Sequence, residues 1–261
     1  MTKQIRYILL FLPILIIARA QLFAQDEIPF QPGEELTYTL SYGFIKGGGA
    51  RLTVTDTVFN SQNVFHITAA GFTSGLVDAI FAIRDISESY VNPQTFFPVK
   101  TIRNIREGKY RFYDEVLFYH DADSTRINSH RSGKKCLPAN MYDIVSAFYF
   151  GRYKYFNDSM VEGQVIRLLT YFGDEVFPLI IRYRGTEVIK TKFGKVECYK
   201  FSPVTEVGRA FKTNDDMHVW ITRDKNRLPV KIKFELTVGS FVCDIESFKG
   251  LKNPFSSIKK K

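Results

Sequence analysis

The stretch Val230-Lys231-Ile232-Lys233-Phe234-Glu235-Leu236-Thr237-Val238-Gly239-Ser240-Phe241-Val242-Cys243-Asp244-Ile245-Glu246 decides the fold class. Apolar residues at 230, 232, 234, 236 and 238 alternate with Lys, Glu and Thr, and the alternation resumes at Phe241, Cys243 and Ile245 after Gly239-Ser240. A period of two sends successive side chains to opposite faces of an extended chain, so the stretch predicts a hairpin with one apolar and one wet face. Upstream, residues 217–222 reach it through Arg223-Asp224-Lys225-Asn226, a run of turn formers. The three segments make a meander. An open edge on such a sheet invites association, so closure or covering is expected.

The same period runs through most of the chain. Leu36, Tyr38, Leu40 and Tyr42 alternate with Thr and Ser, and Gly47-Gly48-Gly49 predicts the turn of a hairpin before Leu52 and Val54. Further strands are predicted over residues 64–71, 82–91, 98–107, 109–120, 165–172, 176–184, 186–191 and 195–203. Their short connections favour antiparallel pairing, because parallel pairs need long crossovers. One segment departs from this pattern: Met141, Ile144, Val145 and Phe148 fall at helical spacing, with Asn140 as N-cap and Gly151 as stop, which predicts a helix over 141–150. A shorter helical turn is predicted near 74–80. A ten-residue helix is marginal in water unless its apolar face packs, so Ile144, Val145 and Phe148 are expected to point inward and close one end of a curved sheet. The pattern change at 131–163 could be a domain boundary, but no linker rich in Pro, Gly or Ser accompanies it. The expectation is a single all-β domain over 25–250, a large curved antiparallel sheet, barrel-like or half-barrel, with one short covering helix and a basic tail at 251–261.

Residues 1–24 have a basic start (Lys3, Arg6), an apolar run from Ile8 to Ile17 broken by Pro13, and small residues at Ala18, Ala20 and Ala24. This is the pattern of a secretory signal peptide, and the run is too short for a transmembrane span. The mature chain is expected to begin at Gln21 or Gln25 and to work in the periplasm or outside the cell. Removing Lys3, Arg6 and Arg19 takes the formal charge from +9 to +6, and the remaining basic residues alternate with acids instead of forming a stripe, which argues against nucleic-acid binding. Cys136, Cys198 and Cys243 permit at most one internal disulfide; Cys198 and Cys243 lie in strand-like runs and could be neighbours.

Three short segments resemble a known family. Phe30-x-x-Gly33-Glu34-x-Leu36-x-Tyr38, Tyr142-Asp143-Ile144-Val145-Ser146-Ala147, and Val219-Trp220-Ile221-Thr222-Arg223-Asp224 followed by Leu228-Pro229-Val230-Lys231-Ile232 and Gly239 resemble, in order and spacing, the domain-of-unknown-function family numbered 3108. The resemblance implies an exported β-rich protein with a strongly curved sheet. It implies no activity and carries no catalytic residues.

Chemistry is sparse. His66, His120, His130 and His218 are isolated, no Cys-x-x-Cys or His pair has metal-ligand spacing, and no nucleophile elbow or phosphate loop is present. The acid pairs Glu34-Glu35 and Asp215-Asp216 would point to opposite faces of a strand and read as turn or solvated charges. No catalytic residue, metal ligand or cofactor is assigned. The aromatic content, 15% with 24 Phe and 14 Tyr, exceeds what a small core requires, so some rings could line a cavity for a lipid-like or amphipathic ligand. Tyr113, Phe148 and Tyr149 are the candidate ligand-binding residues. The expected function is non-catalytic binding of an apolar or amphipathic envelope ligand, the alternatives being a hydrolase of envelope glycans or lipids and a structural partner joined through a sheet edge.

Overall fold

The computed structural model describes residues 27–204, 216–236 and 239–259. The segment 1–24, predicted to be a signal peptide, lies outside the described residues, as do Thr237, Val238 and Asp215. The described chain forms β1 (Glu35–Tyr42), β2 (Ile45–Phe59), β3 (Gln62–Thr73), α1 (Gly75–Ile80), β4 (Arg84–Val91), β5 (Pro98–Glu107), β6 (Tyr110–His120), β7 (Ser124–Ser129), β8 (Gly133–Pro138), α2 (Ile144–Lys154), β9 (Val165–Phe172), β10 (Glu175–Thr191), β11 (Gly194–Pro203), β12 (Met217–Thr222), β13 (Pro229–Glu235) and β14 (Ser240–Lys249). The fold is all-β, and beside α2 the helical turn predicted near 74–80 forms the short helix α1.

All strands belong to one antiparallel sheet in the order β8-β7-β6-β5-β4-β3-β2-β1-β14-β13-β12-β11-β10-β9. Each strand pairs with its neighbour in sequence except at the centre, where β1 pairs with β14. The outermost strands, β8 and β9, share no ladder, yet the sheet rolls until they meet. Tyr142 forms a parallel bridge with Thr170 of β9, its N–H donating to Leu169 O at 2.9 Å and its carbonyl accepting from Tyr171 N at 2.8 Å. Across the same seam Lys135 Nζ reaches Asp174 Oδ1 at 2.7 Å and the Tyr171 hydroxyl at 3.3 Å. Met141 and Leu137 join Val116, Phe118, Ile127 and Tyr171 in an apolar cluster there. The result is a barrel-like roll whose one seam is held by a short main-chain bridge and by side chains.

The predicted turn at Gly47-Gly48-Gly49 lies inside β2; the hairpin turns four residues earlier, at Gly43-Phe44. The glycines serve close approach instead: a Cβ on Gly48 would stand 2.1 Å from the Phe72 carbonyl oxygen, and one on Gly49 would stand 2.6 Å from that of Tyr38. Strands β7 and β8 were not predicted, because the inward residues of β7 include Thr125 and Ser129, buried polar groups hydrogen-bonded to His120 and Asp114, and an apolar alternation is missing. The two strands predicted over 176–191 are one, β10, whose register with β11 shifts between Tyr183 and Thr186 around Gly185, where φ is +86°.

Helix α2 begins three residues later than predicted. Asp143, not Asn140, is its N-cap: Oδ1 accepts from Val145 N and Ser146 N, and Ser146 Oγ accepts from Asp143 N, a reciprocal capping box. Gly151 is internal to the helix, and its bare Cα lets the Phe156 ring pack directly over it, so it is not the stop. The helix does not cap an end of the sheet. It lies within the roll, where Ala147 and Tyr149 share one core with Val54 and Ile67 from one wall and Ile166, Ile181, Phe201, Val219 and Ile221 from the other. A helix walled on several sides buries more than one stripe, which explains its nearly continuous apolar sequence. Ser146, Ala147, Tyr149, Gly151 and Arg152 are its buried residues; Ile144, Val145 and Phe148 are only half-buried.

A second core unites Leu36, Tyr38, Val196, Cys198, Leu228, Val230 and Ile245 with Leu251 and Phe255 from the segment after β14. That segment runs against the sheet as far as a bridge between Ile258 and Val196. Cys198 and Cys243 are free thiols buried in this core, and burial pushes both up to about 12; Cys136 is free and exposed. Lying on non-adjacent strands, β11 and β14, the two buried cysteines are not strand neighbours.

Candidate functional site

Antiparallel order puts the β1–β2, β5–β6, β9–β10 and β13–β14 turns, together with α1, at one end of the roll. At the other end the chain enters β1 and leaves β14. Here the C-terminal part of α2 is locked by the largest buried polar group of the protein. Arg152 and Glu34 have completely inaccessible side chains, and Arg152 Nη1 and Nη2 donate to the two Glu34 carboxylate oxygens at 2.6 and 3.0 Å. Arg152 also donates to Arg227 O at 3.1 Å and Asn226 O at 2.9 Å, in the turn between β12 and β13. Arg227 returns the contact, donating to the carbonyls of Arg152 and Tyr153 at 2.7 and 2.6 Å. The side-chain amide of Asn226 then donates to Asn253 O and Pro254 O, which ties in the last segment of the chain. Burial alone would lower the Arg152 pKa; the Glu34 carboxylate and its hydrogen bonds overcome this and raise it. Each nitrogen of the Arg152 guanidinium has a protein acceptor, so this is a closed structural keystone. Glu34, read from sequence as a solvated charge, is instead the buried anion of the fold, and only Glu35 fits the solvated reading, facing Arg51 and Lys249.

The opposite end is open. Leu40, Tyr42, Phe234 and Phe241 from β1, β13 and β14, with Ile45 and Gly47 of β2 and Val77, Phe81 and Ile83 of the α1 crossover, line a cleft of about 520 Å³. Ser41 and Thr73 are the other lining residues. Thr73 turns its hydroxyl to Asp78 Oδ1 at 2.7 Å and to Phe81 O at 3.2 Å, and that hydroxyl accepts from Ile83 N at 2.8 Å, so its polarity is already satisfied. Helix α1 is held over the cleft by Ser74 N donating to Gly47 O at 2.9 Å and by Val77 packing on Gly47 at the separation that a glycine permits. Such a concave, almost wholly apolar surface is suited to hydrocarbon and offers nothing to activate a water or a nucleophile.

A smaller recess of about 210 Å³ lies beside the seam, where Ala69, Val116, Val145 and Phe172 meet Ser87, Thr101, Arg103, Asp114 and Asp143. Its buried acids are committed. Asp114 accepts from Ser129 Oγ at 3.0 Å and Arg131 N at 3.3 Å, and Asp143 accepts from Ser89 Oγ at 2.6 Å besides capping α2. Burial nevertheless pushes the Asp143 carboxyl up. The Arg103 guanidinium stacks on Phe172 at 4.2 Å and on Phe112 at 5.1 Å.

The four histidines stay apart. His66 Nε2 is 2.7 Å from Glu88 Oε2 with its ring stacked on Tyr90; His120 lies between Phe97 and Phe118; His130 meets the edge of Tyr113; His218 Nδ1 is 3.1 Å from Ser202 Oγ. Among the described residues no group of three His, Cys, Asp or Glu side chains could hold a metal ion. Nor is any helix there long and apolar enough to cross a membrane.

The three aromatic residues chosen from sequence are not brought together. Tyr113 is 43% exposed on the outer face of β6, its hydroxyl donating to Glu115 at 3.2 Å, while the alternate residues Asp114, Val116 and Phe118 are buried. Phe148 is half-buried beside Tyr149 and Phe156. Tyr149 is core, its ring edge-on to Phe30 at 4.8 Å and beneath the Arg152 guanidinium at 5.0 Å. None of them lines the apolar cleft. The residues that do were passed over because Leu40, Tyr42, Phe234 and Phe241 look like ordinary inward strand positions; the available signal was the surplus apolar pair Leu76 and Ile80 on a helix too short to bury anything.

The profile of the family described as "Protein of unknown function (DUF3108)" matches residues 37–246. The chain belongs to that family. In this DUF3108 protein the segments at 30–38, 142–147 and 219–232 meet around α2: they supply Glu34, the helix cap and the turn carbonyls that receive Arg152. No curated protein is matched. Among solved structures, the chain is similar to the crystal structure of a beta-barrel-like protein of domain of unknown function DUF1849 from Brucella abortus, with 6% sequence identity, a TM-score of 0.56, and coverage of 84% of this chain and 98% of that one. At that identity the likeness concerns the fold.

Proposed function

We propose that this DUF3108 protein is an exported, non-catalytic binding protein of the cell envelope that holds an apolar or amphipathic small ligand in the cleft at the α1 end. The observation that carries the reading is the lining of that cleft, hydrocarbon from five strands and strand ends with its few polar groups turned away or already bonded. Its volume falls within the range of small-molecule sites, whereas α2 and its ring cluster occupy the interior of the roll and leave the recess beside the seam at about 210 Å³. The signal-like pattern of residues 1–24 supports export to the periplasm, with Gln21 or Gln25 as the new terminus.

Native mass spectrometry of the exported protein, purified from its own envelope, is the direct test, followed by titration of the delipidated protein with the fluorescent fatty acid cis-parinaric acid. A co-purifying mass of lipid size and saturable fluorescence, both lost in Phe241→Glu, are expected. A bare polypeptide mass together with no parinarate uptake would remove the ligand reading. An intact Met1 in N-terminal sequencing would remove export.

A further inference from the structure

Around the mouth of the cleft stand the three most exposed large apolar side chains of the described residues. Phe44, at the tip of the β1–β2 turn, is 97% exposed; Leu76 and Ile80 on α1 are 85% and 86% exposed. Helix α1 buries no residue at all. Its Val77 and Phe81 face the cleft, so Leu76 and Ile80, one position back on the helix, project past the rim. Isolated exposed hydrophobes are ordinary on a protein surface, but three on two adjoining protrusions, beside an apolar cleft, mark a surface made for contact.

Charge around this rim narrows the partner. Lys46 follows Phe44 on β2, and the β5–β6 hairpin carrying Lys109 and Arg111 is fastened to α1 by Gly108 N donating to Ala82 O at 2.8 Å and by Phe81 lying on Gly108. All three cations are exposed, and none of the ion pairs found among the described residues involves them. The acids on α1 and on the neighbouring ends of β4 and β5 are spoken for. Asp78 is neutralised by Arg84 at 2.6 and 2.9 Å, and Asp85 and Glu107 are half-buried and hydrogen-bonded to one another. The rim therefore presents protruding hydrocarbon flanked by exposed positive charge. That combination matches the interface of an anionic lipid bilayer, where apolar tips enter the acyl boundary and basic side chains stay among the headgroups. A folded protein partner would have to supply a ridge for the cleft and pockets for three separate tips; a fluid bilayer conforms to both.

We propose that the α1 end of this protein docks on an anionic lipid surface through Phe44, Leu76 and Ile80, with Lys46, Lys109 and Arg111 on the headgroups, so that the cleft opens onto acyl chains. This rests on the reading of the cleft as a hydrocarbon site and adds the source of its ligand.

The test is flotation of the mature protein with vesicles of phosphatidylethanolamine and phosphatidylglycerol, and with phosphatidylcholine vesicles as the uncharged control. The parent protein should float with the anionic vesicles, and the partition should weaken with added salt. Phe44→Ser/Leu76→Ser/Ile80→Ser should lose about tenfold or more in partition on hydrocarbon grounds. Lys46→Ala/Lys109→Ala/Arg111→Ala should lose binding to the anionic vesicles and its salt dependence. Circular dichroism confirms that these surface variants fold, and cis-parinaric acid, presented in solution, reads the cleft separately and should bind all of them. Parinarate uptake without flotation of the parent protein would overturn the docking proposal while leaving the cleft reading intact. Flotation unaffected by either triple variant would also overturn it. So would self-association in sedimentation velocity that the apolar triple variant abolishes, since the rim would then be covered by a second copy.

Discussion

Replacing Glu34 with Gln removes one buried charge from the fold and leaves its shape unchanged. Both partners of the Glu34–Arg152 pair are completely shielded from water, and two short N–H···O contacts join them. After the change, the Arg152 guanidinium keeps two carbonyl acceptors, Arg227 O and Asn226 O, but no counter-charge, and half of the new amide is a donor facing donors. Breaking a buried pair on one side costs about 3–5 kcal/mol, because the remaining charge stays desolvated. For a domain of this size, each kcal/mol moves the melting temperature by about 2–4 °C, so the expected fall is roughly 6–20 °C. Thermal and urea melts followed by circular dichroism measure it. The double change Glu34→Leu/Arg152→Met tests the cause, since removing both charges together should recover much of the loss. A Glu34→Gln protein that melts within about 2 °C of the parent, or a double variant that is worse than the single one, would refute the keystone reasoning.

Other changes probe other parts of the fold. Tyr149→Phe removes a buried hydroxyl that has no hydrogen-bond partner and should leave stability unchanged or raise it by about 1 kcal/mol; a clear loss in the same melts would reveal a partner. Gly48→Ala drives a Cβ into the Phe72 carbonyl and should cost about 1–3 kcal/mol or more, whereas Gly71→Ala, where a Cβ meets nothing within 4 Å, should be close to neutral. Burial lowers the pKa of His120, and of His218 where Lys200 adds to the effect, so the fold favours their neutral forms. Their contribution is complete above about pH 6.5 and is lost as pH falls through that value toward the lower folded pKa, because the unfolded chain takes up protons first. Melting temperatures should therefore decline from pH 7 into the acid range, and His120→Gln should flatten the slope; an unchanged slope would assign it to other groups.

Much of the architecture could be read along the chain because strand formation on a half-buried sheet is a local, period-two property. The alternation at Leu36–Leu40 and Val230–Phe234 and the turn formers between strands identified an antiparallel, strongly curved, all-β protein. Where the local signal was polar, as at Thr125 and Ser129, the strand escaped notice, since its inward side chains are stabilised by partners distant in sequence. The glycines at 47–49 were misplaced for a related reason: glycine marks both turns and close strand approach, and only the Phe72 backbone lying over Gly48 distinguishes them.

What the sequence determined by itself was most of the elements and their alternating faces, because these follow from backbone geometry and from side-chain polarity over a few residues. Tertiary structure alone decided where the elements went. It placed α2 inside the roll instead of across its end, joined Glu34 to Arg152 across 118 positions of the chain, sent Tyr113 to the outer surface, and gathered Leu40, Val77, Phe234 and Phe241 into one apolar cleft. Those outcomes depend on which way a curved sheet closes and on which distant charges can be buried together, and both are set by the free energy of the whole packed interior, not of any one segment.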